Sequence, residues 1–262
     1  MNYSLSFLPD RGSKPRNKGI AMVMDKGLSY NEAENLIAAA GHLVDYIKLG
    51  FGTSIATNGL RDKINLYHDS GIEVYFGGTL FEAFLVRGLY DDFLNLLHKY
   101  DLRTVEVSDG SIRLPHEQKC EYIASLAKDF EVLSEVGAKD SNVELKKEDW
   151  ISEMTKELEA GSQMVIAEAR ESGTVGIYSK DGSANTELID DIHQQIPEHK
   201  ILWEAPVKSQ QAWFIKHFGA HVNLGNIAPN ELIALETLRL GLRGDTFFEF
   251  LPKDIQEKYK IR

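Results

Sequence analysis

A closed α/β barrel of the (β/α)8 TIM type, built as one domain over residues 1–262, is the fold the sequence predicts. Three observations carry that expectation. Short apolar runs alternate with segments of helical periodicity eight times along the chain, and such alternation implies a parallel sheet. The runs are apolar on successive residues, as in Met164-Val165-Ile166-Ala167, the habit of strands covered on both faces. Four of them carry a glutamate near the C-terminal end, namely Glu106, Glu135, Glu168 and Glu204. A carboxylate on a buried strand is tolerated where the sheet opens to water or ligand. Four on successive strands therefore predict a ring of carboxylates around one mouth.

The elements follow in order. Residues 1–18 are irregular and lead into strand one at 19–24, which ends in Asp25-Lys26-Gly27. Ser29 caps a helix over 30–40, with Glu32 in its first turn. Strand two spans 43–49 and opens into Gly50, Gly52, Thr53 and Ser54; a helix covers 58–70 and strand three 72–76. Helices at 80–87 and 90–99 precede strand four at 104–107, a helix at 115–130 and strand five at 132–135. A polar loop, 137–146, enters the helix 147–160, and strand six follows at 164–167. After the loop 171–183 come a helix at 184–195, strand seven at 200–204, a helix at 209–218, strand eight at 221–224 and a last helix at 230–240. Residues 249–262 form a C-terminal extension. An open doubly wound sheet is the alternative architecture. It is disfavoured because no G-x-G-x-x-G follows strand one, and no Walker A pattern occurs.

Composition narrows the function classes. With 43% hydrophobic residues, the chain can bury one sizeable core. No apolar run reaches the roughly 18 residues that span a bilayer, and the N-terminus lacks the apolar stretch of a secretory signal. Cys120 is the only cysteine, so no intrachain disulfide forms. These features fit a cytoplasmic protein. A net charge of −11 argues against nucleic-acid or anionic-membrane partners.

In a barrel of this class the C-terminal strand ends and the loops behind them form the active site. That rule gathers Asp25, Lys26, Lys48, Glu106, Glu135, Lys139, Glu168, Arg170 and Glu204, with Ser108, Asn223 and Asn226 as neutral polar neighbours. Carboxylates from adjacent strands suit a hard cation such as Mg2+, and which of the four touch it stays open at this point. The cations suit a multiply charged anion, for which Arg170 is the natural bidentate clamp. Lys26, Ser108, Asn223 and Asn226 are assigned with Arg170 to substrate binding. Each feature has a structural alternative: a strand-end glutamate can cap a helix, Lys48 can pair with a barrel glutamate, and Lys139 can be solvated loop charge. No H-x-H or H-E-x-x-H occurs among the eight histidines, which speaks against zinc. Arg16, Arg239 and Arg243 fall at the opposite end of the barrel, where fold closure or a subunit contact with Glu236 or Asp245 is expected.

Several stretches carry a resemblance: Lys14-Pro15-Arg16, DYIKLGFGTS from Asp45, FGGTLFE from Phe76, LSEVGAKD from Leu133, EARESG from Glu168, EAP from Glu204, VNLGNI from Val222 and LETLRLGLRGDTF from Leu235. Together they resemble the phosphosulfolactate synthase family, also called the coenzyme M biosynthesis protein A family. The likeness spans about residues 14–247. It implies a (β/α)8 barrel that adds sulfite to phosphoenolpyruvate with Mg2+, giving (2R)-phospho-3-sulfolactate, and a homo-oligomer. The family's acid/base lysine falls on Lys139; where some members have two lysines after the glycine, this chain has Ala138-Lys139. Lys48 stands beside Lys139 as the second catalytic candidate, and Lys48 and Arg170 would hold the phosphate and sulfite. The family is also similar to plant heat-stress-associated proteins, so two other readings stand beside the synthase. One is a Mg2+-dependent barrel enzyme acting on another small phosphorylated acid, and the other is a non-enzymatic stress protein that kept the barrel.

Overall fold

The computed structural model describes residues 3, 5–137, 146–169, 172–174 and 176–260. The strands are β1 (Ala21–Asp25), β2 (Tyr46–Leu49), β3 (Glu73–Phe76), β4 (Thr104–Val107), β5 (Glu131–Val136), β6 (Met164–Ala167), β7 (Ile201–Glu204) and β8 (Leu224–Ile227). They form one parallel sheet of eight strands in the order β3-β2-β1-β8-β7-β6-β5-β4. The two outer strands, β3 and β4, lie side by side and complete the wall, with no strand ladder between them among the described residues. Helices α1 (Tyr30–Ala40), α2 (Leu60–Asp69), α3 (Gly78–Leu85), α4 (Tyr90–Lys99), α5 (His116–Leu126), α6 (Lys147–Ala160), α7 (Thr186–Gln195), α8 (Lys208–Phe218) and α9 (Leu232–Arg239) fall between and after the strands. The protein is a (β/α)8 TIM barrel. A short helix, α10 (Lys253–Tyr259), follows in the C-terminal extension.

Alternation along the strands builds two cores. On β1, Ala21 and Val23 face the helices while Met22 points inward. The inward set, including Met22, Tyr75, Leu133, Ile166 and Leu202, fills the barrel as a cluster separate from the helix-facing core. Burying one such aliphatic side chain contributes about 1.5–3 kcal/mol. The expected cap at Ser29 forms: its Oγ accepts from Glu32 N at 3.3 Å, and Glu32 Oε2 accepts from Ser29 N at 2.8 Å.

Strand eight departs from expectation. It runs over Leu224–Ile227, three residues later than the apolar reading of 221–224 placed it. The residues that resemble a loop, Gly225 and Asn226, are the strand itself. A side chain at 225 would bring its Cβ within 2.8 Å of Met22 Cε inside the barrel. Asn226 has φ 57°, a left-handed conformation that asparagine tolerates better than most residues. The β1–β8 register shifts beside it.

The N-terminal end of the barrel is closed by arginines, as expected, although their partners differ. Arg239 is buried and donates to the carbonyls of Ala220 and Val222 at 2.7 Å and of Ile20 at 3.2 Å. Arg16 grips Asp45 at 2.8 Å, and it is Arg11 that takes Glu236, at 2.9 Å. Asp245 pairs with Lys208. Arg11, Arg16 and Arg239 are thus spent within the chain.

Candidate active site

At the C-terminal end of the barrel three of the four glutamates converge on one lysine. Lys48 lies on β2 and reaches Glu135 at 2.9 Å, Glu106 at 3.0 Å and Glu204 at 3.5 Å. All four side chains are buried. Burial by itself pushes the Lys48 ammonium down, but Glu106, Glu135 and Glu204 outweigh it and hold the pKa well above that of a free lysine. Lys48 is therefore a fixed positive charge and a poor proton donor near neutral pH.

The carboxylates are not equivalent. Glu106 is occupied on both oxygens: Oε1 accepts from Gly78 N, at the start of α3, at 2.5 Å, and Oε2 meets Lys48. Gly78 is required there, because an added Cβ would stand 2.6 Å from Ser108 Cβ and 3.0 Å from Glu106 Oε1. Glu135, Glu168 and Glu204, by contrast, each offer an oxygen within 4.8 Å of the others, and all three are buried. Three convergent oxygen donors at that spacing fit a hard divalent cation. Burial pushes Glu204 up to about 7, with Lys48 opposing and Glu135 adding to the rise. Its Oε2 accepts from Ala169 N at 2.9 Å and from Asn226 Nδ2 at 3.3 Å. Asn226 also donates to Ala169 O at 3.2 Å, so it fixes both the carboxylate and the β6 exit. Glu168 sits beside Gly137, which needs to be glycine on two counts: its φ of 134° is strained for other residues, and a Cβ would lie 2.6 Å from Glu168 Cβ.

The remaining expected residues divide. Asp25 lies at the end of β1 but is consumed by the loop behind it: Oδ1 accepts from Gly27 N and Leu28 N, while Oδ2 takes Lys63 at 2.8 Å and Tyr67 Oη at 3.0 Å. Lys26 is exposed at the end of β1, in a groove with Ser29, Thr53 and Thr57. Ser108 is buried and donates to Glu82 Oε1 at 2.5 Å. That bond ties the end of β4 to α3. Asn223 is a correction. It lies at the opposite end of the barrel, accepting from Ile20 N at 3.0 Å and donating to Ile201 O at 3.1 Å. The three-residue shift of β8 moved it from the mouth to the floor. Lys139 and Arg170 lie outside the described residues.

Several groups behind the mouth escaped the sequence reading. Lys119 on α5 is buried and donates to the carbonyl of Glu135 at 2.7 Å, to Asp109 at 2.8 Å and to Glu157 at 2.7 Å. Lys63 on α2 holds Leu28 O at 2.8 Å besides Asp25. Tyr75, on β3 abreast of Lys48, is buried beneath the charged cluster.

The chain matches the model of the (2R)-phospho-3-sulfolactate synthase (ComA) family over residues 9–245. It belongs to that family. A phosphosulfolactate synthase of Methanocaldococcus jannaschii is 44% identical over 237 residues, covering 88% of this chain and 94% of the relative. The phosphosulfolactate synthase of Bacillus subtilis is 40% identical over 250 residues, 94% of this chain and 99% of the relative. Among solved structures, 3-hexulose-6-phosphate synthase from Salmonella typhimurium superposes with a TM-score of 0.53 at 16% identity, over 86% of this chain and all of its own. The YdjI aldolase from Escherichia coli K12 does so with a TM-score of 0.54 at 10% identity, over 93% and 92%. At those identities the likeness is one of fold. As a member of the phosphosulfolactate synthase family the protein is an enzyme of that type, and the charged cluster at the barrel mouth is its candidate active site.

Proposed function

We propose that the protein adds sulfite to phosphoenolpyruvate in a Mg2+-dependent reaction, giving (2R)-phospho-3-sulfolactate. The observation that carries this reading is the convergence of Glu135, Glu168 and Glu204 with Lys48 at one end of the barrel. In the reaction, the sulfur lone pair attacks C3 and forms the C–S bond. The C2–C3 π pair moves to C2 and is shared with the carboxylate, and a proton delivered to C2 completes the product. Mg2+ held by Glu135, Glu168 and Glu204 would supply Lewis-acid stabilisation of the charge that develops on the substrate.

The chain supplies the rest. Lys48, held charged by its carboxylates, offers a permanent cation to one anionic group of the substrates. Asn226 keeps Glu204 in place, and Glu106 holds Lys48 against the start of α3. Lys139, on the family's acid/base position, delivers the proton, and Arg170 clamps phosphate or sulfite through its planar fork. A homo-oligomer belongs to the same reading. The deciding experiment is product formation from phosphoenolpyruvate and sulfite, with and without Mg2+. Turnover that survives complete chelation would remove the metal from this account, and no product under any condition would remove the reaction.

A further inference from the structure

Tyr75 is fully buried in the barrel interior, and its hydroxyl has no hydrogen-bond partner among the described residues. Buried hydroxyls in folded proteins are nearly always hydrogen-bonded, and phenylalanine would fill the same space without leaving a polar atom unpaired. The neighbouring interior tyrosine shows the ordinary solution: Tyr46 Oη donates to Glu131 at 2.6 Å. The Tyr46 ring packs edge-on against Tyr75, with centroids 6.2 Å apart, and keeps the Tyr75 ring in place. Parallel register sets Tyr75 directly beside Lys48. After burial, Glu106, Lys48, Glu204 and Glu135 are the groups that act on its hydroxyl.

An ammonium has three N–H groups, and Lys48 faces three carboxylates, Glu106, Glu135 and Glu204. On the metal reading above, a divalent cation takes Glu135 and Glu204 together with Glu168. Two of the lysine's three carboxylates then belong to the cation, which also repels the ammonium. Lys48 keeps Glu106 and must place its released N–H groups elsewhere in a buried site, where an unmade hydrogen bond is costly.

We propose that Tyr75 is a positioning residue for Lys48: its hydroxyl oxygen accepts an ammonium N–H that Glu135 and Glu204 release when a divalent cation binds. The other released N–H is then free to meet the anionic substrate. A tyrosine suits this role better than a further carboxylate, because a neutral hydroxyl can accept the N–H hydrogen bond without competing for the cation. The inference rests on the metal reading of the site, and its test separates the two.

Mn2+, which favours the same oxygen ligands, is titrated into the full chain and the unbound ion is followed by electron paramagnetic resonance. Tyr75→Phe should weaken Mn2+ binding on the order of tenfold, the equivalent of one charge-assisted hydrogen bond, because Lys48 then has no alternative to the carboxylates. Lys48→Met should bind Mn2+ more tightly than the wild type. In the Lys48→Met background, Tyr75→Phe should change nothing. As a second readout, needing only a variant that keeps the ring, Mn2+ should produce a tyrosine absorbance difference that Tyr75→Phe lacks; this decides the matter if Lys48→Met does not fold. Equal affinities for Tyr75→Phe and wild type, or equal weakening in both backgrounds, would overturn the proposal while leaving the metal site standing. A wild-type chain that binds no Mn2+ would instead overturn the metal reading, and this inference with it.

Discussion

Replacing Lys119 by methionine tests whether the active site is held from behind. The ammonium sits on α5 with contacts at 2.7 Å to Glu157, 2.8 Å to Asp109 and 2.7 Å to the carbonyl of Glu135. Lys119→Met leaves the Glu157 carboxylate buried, with His116 at 3.3 Å on the same oxygen. Removing one member of a buried pair costs about 3–5 kcal/mol, and the remaining histidine places this case near the lower end. At about 2–4 °C per kcal/mol for a chain of this size, the melting temperature should fall by about 6–12 °C. Lys119→Met/Glu157→Leu should recover most of that loss, since the orphaned charge is gone. The pH dependence has a definite sign. Burial alone would raise Glu157, but Lys119, followed by His116 and Ser134, brings it below the ordinary value of 4.5. Its contribution to stability is thus present above 4.5 and lost as pH falls through the lower folded value. The gap in melting temperature between wild type and Lys119→Met should therefore narrow below about pH 4.5. Calorimetry across pH 3–8 is the assay, and a Lys119→Met variant that melts within about 2 °C of the wild type at pH 7 would refute the reasoning.

Four further outcomes follow from the structure and the proposed reaction. Glu135→Gln, Glu168→Gln and Glu204→Gln should each abolish measurable Mn2+ binding, whereas Glu106→Gln should retain it, because Glu106 is spent on Gly78 and Lys48; parallel titrations compare the four. Asn223→Ala should lower stability by about 1–3 kcal/mol, the cost of unpairing a buried group, and leave KM unchanged, as denaturant melts and steady-state kinetics would show together. Lys139→Ala should reduce kcat by about 10²–10⁴-fold with little change in phosphoenolpyruvate binding. Arg170→Ala should instead raise KM, with only partial rescue by Arg170→Lys.

The legible part of the fold was the part written in period and polarity. The first seven strands emerge close to their apolar runs, and Glu106, Glu135, Glu168 and Glu204 emerge at one end because each closes such a run. Strand eight did not, because Gly225 and Asn226 carry loop-like composition for tertiary reasons: Met22 on the adjacent β1 fills the space a side chain at 225 would need, and Asn226 holds Glu204 from a left-handed backbone. The division among the glutamates was also hidden. It depends on Gly78 presenting its N–H across the β3–β4 seam to Glu106, a contact between segments far apart in the chain. Tyr75 carries no local mark in the sequence beyond its place in strand three. What singles it out is its register with Lys48, which no local pattern encodes.

The buried lysines did leave a signal, and it explains how the mouth is kept rigid. On α2 the buried positions are Leu60, Lys63, Ile64 and Tyr67, and on α5 they are Lys119, Ile123 and Leu126. In each helix a lysine occupies the apolar stripe that faces the strands. A charge in such a stripe demands a buried partner, and at the C-terminal end of a barrel the partners at hand are strand-end carboxylates and carbonyls. Lys63 accordingly ties Asp25 and the carbonyl of Leu28 to α2, while Lys119 ties the carbonyl of Glu135 to α5. Both lysines brace the residues behind the ring from the helix side and contribute no charge to its interior. That leaves Lys48 as the described cation that faces three of the ring glutamates from within the barrel. A site built this way can release Lys48 to a ligand without loosening the strand that carries Glu135, because a different lysine on a different helix holds that strand.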